Sequence, residues 1–90
     1  MIKAVAVKVL NNYNLYIKFN DGVEGTVDLS HLKDGKAFSM WKEQGNFEKA
    51  HIEGEAIAWD ENLDIDALSL YLQLTKQTFA DYTAKQKNHA

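Results

Sequence analysis

Ninety residues and 10.2 kDa fit one domain at most, which excludes a two-lobed enzyme with a cleft between its lobes. With 46% apolar and 26% charged residues the chain has an ordinary globular balance, unlike a disordered tail or a membrane span. It has no cysteine, so disulfides, thiolate nucleophiles and cysteine-held metals are excluded, and all ten basic residues are lysine, which removes the planar fork that grips phosphate and guanine; with a net charge of −3, this argues against nucleic acid as a partner.

In chain order, Met1-Ile2-Lys3-Ala4 alternates instead of forming an apolar leader, and no apolar run nears the ~18 residues of a span. The expectation is a cytoplasmic protein with no membrane association. Val5, Val7 and Val9 then alternate with Ala6 and Lys8, and Leu15, Ile17 and Phe19 with Tyr16 and Lys18, the period of half-buried strands. Asn11, Asn12 and Asn14 supply the turn between them. At Asn20-Asp21-Gly22 two registers compete. A two-residue loop sets Phe19 opposite Glu24 and Ile17 opposite Thr26, mixing core and solvent sides. A three-residue loop with Gly22 left-handed pairs Phe19 with Val23, Ile17 with Gly25 and Leu15 with Val27, and the pattern selects it.

Asp28 or Ser30 is placed to cap a short helical turn through Leu32, ended by Gly35, and Phe38, Met40 and Trp41 mark another short helix that Gly45 ends. After Phe47, Lys49 to Ile52 and Ala56 to Trp59 read as a second hairpin around Glu53-Gly54-Glu55. The expected core gathers Phe19, Phe38, Trp41, Phe47, Ile57 and Trp59.

Near the end, Leu68, Leu70, Leu72 and Leu74 alternate as a strand would, while Leu68, Tyr71, Leu72, Thr75, Phe79 and Tyr82 follow helical spacing over a longer span. Composition favours a helix with Asp66 as N-cap. Such a helix leaves Leu70 and Leu74 beside its main stripe, which implies a second buried contact, with a homodimer as one outcome. The last six residues, Lys85 to Ala90, are expected to fray.

From Glu53 to Asp66 the chain carries six acids and no lysine, so a −6 block is set against a remainder of +3. Asp60, Asn62, Asp64 and Asp66 fall at positions 1, 3, 5 and 7 of a calcium loop, but Ile65 replaces its glycine and Tyr71 its closing glutamate, so a solvated acidic loop is the better reading. His31, His51 and His89 show no ligand spacing. Asp28 and His31 form the one acid and histidine pair with sensible local geometry, at a helix start. The glycines form no phosphate-binding motif. The residues give no catalytic, metal or cofactor set.

The run Tyr13-Asn14-Leu15-Tyr16-Ile17-Lys18-Phe19-Asn20-Asp21-Gly22 is followed by Gly25-Thr26-Val27-Asp28-Leu29-Ser30 and Gly35-Lys36-Ala37-Phe38. With Phe47, Ile57-Ala58-Trp59 and Leu63-Asp64-Ile65-Asp66, it resembles the small bacterial domain-of-unknown-function family 2442. Phe19, Asp21, Gly22, Asp28, Phe38, Phe47 and Trp59 form the structural signature. The resemblance implies an α+β domain with an antiparallel sheet and names no activity; some members look like one half of toxin-antitoxin-like gene pairs, and others carry a helix-turn-helix domain. The expected organisation is a single α+β domain over 1–90, with hairpins, short helices and a longer C-terminal helix. Its family-like part covers about 1–71, and the helix and tail about 67–90. The leading functional expectation is a non-catalytic interaction module, antitoxin-like or regulatory, acting on another small bacterial protein through Asp60, Glu61, Asp64, Asp66, Leu70 and Leu74. The alternative is a small ligand-binding or carboxylate-based enzyme domain using acids such as Asp28, Asp60 and Asp64.

Overall fold

A computed structural model describes residues 1–87. Strands β1 (Ala4–Leu10), β2 (Asn14–Phe19) and β3 (Glu24–Asp28) form one antiparallel meander. The chain crosses three short 3₁₀ segments, Ser30–Leu32, Lys36–Lys42 and Phe47–Lys49. It then makes a second meander from β4 (His51–Glu53), β5 (Ala56–Asp60) and β6 (Leu63–Asp66). Helices α1 (Ala67–Thr75) and α2 (Phe79–Lys87) follow, so the class is α+β.

The apolar pattern fixes the first sheet. Leu15 pairs with Val27, Ile17 with Gly25 and Lys18 with Glu24, and the Phe19 N–H donates to the Val23 carbonyl at 2.8 Å, closing the three-residue loop with Gly22 at φ +91°. Leu15, Ile17, Phe19 and Val27 thereby share one face and bury it. In the first turn, Asn14 Nδ2 donates to the carbonyls of Asn11 and Asn12, while Asn12 and Tyr13 adopt positive φ. Asn20 ties the N-terminus to this hairpin. Its N–H donates to the Lys3 carbonyl, its Oδ1 accepts from the Lys3 N–H and its Nδ2 donates to the Met1 carbonyl.

The core lies between the inner faces of both sheets and α1. Trp41 is its aromatic hub, with ring centroids of Phe38, Trp59 and Phe47 at 4.7, 4.8 and 5.0 Å. Each well-oriented aromatic pair contributes about 0.5–1.5 kcal/mol beyond area burial. Trp59 also donates its indole N–H to the Phe47 carbonyl at 2.9 Å. Phe38 is only half-buried, because its short 3₁₀ segment lies at the rim of the cluster.

Four expectations need correction. Lys49 belongs to a 3₁₀ turn, so β4 begins at His51, and the β4–β5 loop is the two residues Gly54 and Glu55, Gly54 taking φ +59°. Residues 63–66 are a strand on β5 and not part of an acidic loop. The C-terminal helix is two helices: Lys76 is left-handed at φ +56°, and the Gln77 N–H reaches back to the Leu72 carbonyl at 3.1 Å, closing α1. Finally, α2 runs through residue 87, so residues 85–87 are helical; residues 88–90, with His89, lie outside the described residues.

Candidate functional site

The acidic segment gains its geometry from β4–β6. Ala56 pairs with Glu53 on one side and Asp66 on the other, and Ala58 pairs with His51 and Asp64. Alternation puts Ile57 and Ile65 on the core side, in register with Ile52, which stays 36% exposed on the edge strand, so His51, Glu53, Asp64 and Asp66 project from the opposite, outer face. The result is a strip floored by two alanines and walled by longer side chains. The wall residues are exposed, whereas Ala58 between them is 1% exposed although it stands apart from the core cluster. His51 Nε2 lies 3.6 Å from Glu53 Oε2, and among the described residues none of the six acids from Glu53 to Asp66 is paired with a lysine.

A bulge opposite Leu63 turns Trp59 inward and brings Asp60 to the β5–β6 turn, where its Oδ1 accepts the Asn62 N–H at 2.8 Å. Glu61 is exposed on that turn. Asp66 has two roles, standing on the outer face and capping α1 by accepting the Leu68 N–H at 3.0 Å. Asp60, Asp64 and Asp66 therefore do not converge as a calcium loop would bring them together. Among the described residues no group of three or more metal-ligating side chains is gathered.

Leu70 and Leu74 do not belong to an outward surface. The core-facing stripe of α1 is the buried Ala67, Leu70 and Tyr71 with the half-buried Leu74, one helical face read at i, i+3, i+4 and i+7. Leu70 is 1% exposed, and Leu74 Cδ1 comes within 2.7 Å of where a Cβ on Gly25 would stand. The wide stripe is thus used by this chain's own first sheet, and the helix spacing that starts at Leu68 was offset by one residue.

An apolar groove of about 300 Å³ adjoins the acidic strip, lined by Met1, Ile2, Leu68 and Tyr82 with Glu55 and Asp66 at its rim. The Asn20 bonds position its N-terminal wall, and the Tyr82 ring, 6.1 Å from that of Tyr71, positions its α2 wall. A more polar hollow of about 280 Å³ lies where the β1–β2 turn meets residues 41–48. Sequence reading missed His51, Glu53 and the alanine floor because their alignment depends on pairing across three strands, the third of which was read as loop.

The signature residues act in packing and turns. Asp21 Oδ1 accepts the Val23 N–H at 3.0 Å, and its Oδ2 accepts the Tyr71 hydroxyl at 2.6 Å, joining the β2–β3 hairpin to α1 across fifty residues. That bond, reinforced by burial, pushes the Tyr71 phenol up to about 12. Asp28 accepts the Ser30 N–H at 2.8 Å, which holds its carboxyl below the usual range; His31 contributes less. These carboxylates are engaged in local structure. Neither His31 nor His51 bonds a hydroxyl among the described residues, and His51 Nδ1 lies 2.9 Å from the Lys49 carbonyl.

No helix among the described residues is long and apolar enough to cross a membrane. No curated protein and no solved structure matches the chain. A family model described as protein of unknown function (DUF2442) matches residues 4–81, from β1 into α2 and past the Tyr71 boundary that the resemblance gave, and the chain belongs to that family.

Proposed function

We propose that the protein is a non-catalytic interaction module, antitoxin-like or regulatory, that takes a lysine- or arginine-bearing segment of another small cytoplasmic protein onto the outer face of β4–β6. The observation that carries this reading is the alanine-floored strip between Glu53, Asp64 and Asp66, whose carboxylates have no lysine partner among the described residues. A basic side chain suits such a strip on both counts. Its aliphatic stem lies against the half-buried Ala56 while its charged head stays between carboxylates at the solvated rim. Contacts of this kind set orientation and encounter rate more than raw affinity, so the complex is expected to weaken with salt.

Calorimetric titration with an octalysine peptide tests the reading. Binding is expected at low salt, weakened at least tenfold between ~50 and ~300 mM NaCl. The Asp64→Asn/Asp66→Asn double variant is expected to lose it while its unfolding midpoint stays put, because asparagine still caps α1. Equal binding by wild type and the double variant would remove the outer face from the account.

A further inference from the structure

We infer that two copies of this chain associate about a twofold axis, Phe79 of each filling the apolar groove of the other. Phe79 is 60% exposed, the one aromatic among the exposed large hydrophobics of the described residues. Its position is well fixed for a surface residue. It stands on the first turn of α2, where Thr78 and Asp81 cap each other, the Asp81 N–H donating to Thr78 Oγ1 at 3.0 Å and the Thr78 N–H to Asp81 Oδ2 at 3.1 Å. One turn on, Tyr82 lines the groove of about 300 Å³ that Phe79 itself does not line. Apolar knob and apolar hollow therefore lie side by side on one helix. That arrangement is self-complementary, and a twofold axis beside α2 satisfies both halves at once.

Charge selects a second copy as the occupant. The groove rim carries Glu55 and Asp66, while residues 76–87 hold three lysines against one acid. Lys76 and Lys85, both exposed, bracket Phe79 along the sequence, so each α2 brings a basic, aromatic segment to an acidic, apolar receptor. A nine-residue helix is only about 14 Å long. Such a contact falls at the small end of specific interfaces, where micromolar association is expected.

Sedimentation velocity on the full chain between about 5 and 500 µM tests this, a range that spans micromolar association. The expected result is a shift with concentration from 10.2 kDa towards twice that mass. Phe79→Ser is expected to stay monomeric throughout, Glu55→Lys to weaken association at least tenfold, and the double variant Glu55→Lys/Lys85→Glu to recover part of it. Wild type remaining at 10.2 kDa across the range overturns the dimer, including the case where a different apolar peptide occupies the groove. So does a Phe79→Ser variant that dimerises as wild type does; if that variant loses its fold, the two charge variants decide. The dimer shares Asp66 with the recognition strip but rests on Phe79 and the apolar groove, which the strip does not use: a monomeric chain that still binds octalysine overturns the dimer alone.

Discussion

Tyr71 and Asp21 show how single side chains hold this fold. The phenol is buried against the Phe19 ring at 5.0 Å, and among the described residues its hydroxyl has one partner, a carboxylate that already caps the β2–β3 loop. Tyr71→Phe is expected to cost roughly 1.5 kcal/mol in urea unfolding, the low end for a bond to a charged group, because Asp21 is otherwise solvated. The phenol's pKa is raised in the folded state, so the folded chain keeps its proton to higher pH than the unfolded chain. That contribution is complete below pH ~10 and is lost as pH climbs towards about 12, and Tyr71→Phe should flatten this part of the alkaline unfolding curve. Trp59→Phe keeps a ring but removes the shorter of the two bonds to the Phe47 carbonyl, which retains the Ala50 N–H at 3.3 Å, an expected loss of about 1 kcal/mol by the same measurement. The Phe19-Asn20-Asp21-Gly22 turn was legible from its residues. The Tyr71 bond was not, since nothing local relates positions fifty apart.

Among the elements, Asp66 separates two roles that the sequence runs together. Asp66→Ala removes the α1 cap and is expected to cost about 1 kcal/mol, whereas Asp66→Asn keeps a capping oxygen and removes only the charge from the outer face. Thermal unfolding should therefore distinguish the two variants, while binding of a basic peptide should fall in both. The approach of Leu74 to Gly25 gives a second test. Gly25→Ala needs only a flexible leucine end to move and is expected to be tolerated, but Gly25→Leu overfills the space between β3 and α1 and should cost ~1–3 kcal/mol in chemical unfolding. The β2–β3 register could be read in advance because only one pairing gathers Leu15, Ile17, Phe19 and Val27. Strand β6 was hidden because half of its four residues are acids and the β5 pairing that makes it a strand is tertiary. The break after Thr75 was equally hidden, since a lysine takes the left-handed position where glycine is the usual signal.

Across the whole molecule, the polarity that appears in the sequence as a −6 block becomes a surface. The second meander gathers Glu53, Asp64 and Asp66 on one outer face, and the core side of the same strands joins α1 and the first sheet in one apolar cluster. Net charge alone, at −3, conceals this division because the lysines lie elsewhere along the chain. Composition could therefore reveal that charge was segregated, but only strand pairing reveals that it is presented on an alanine floor. Recognition of a basic segment by that floor is most directly examined by amide NMR of the ¹⁵N-labelled chain titrated with octalysine at low salt. Progressive shifts should concentrate at His51, Glu53, Ala56, Ala58, Asp64 and Asp66 and reverse as salt is raised. Shifts confined to other surfaces, or none at about 1 mM peptide, where even a millimolar complex is half formed, would contradict it.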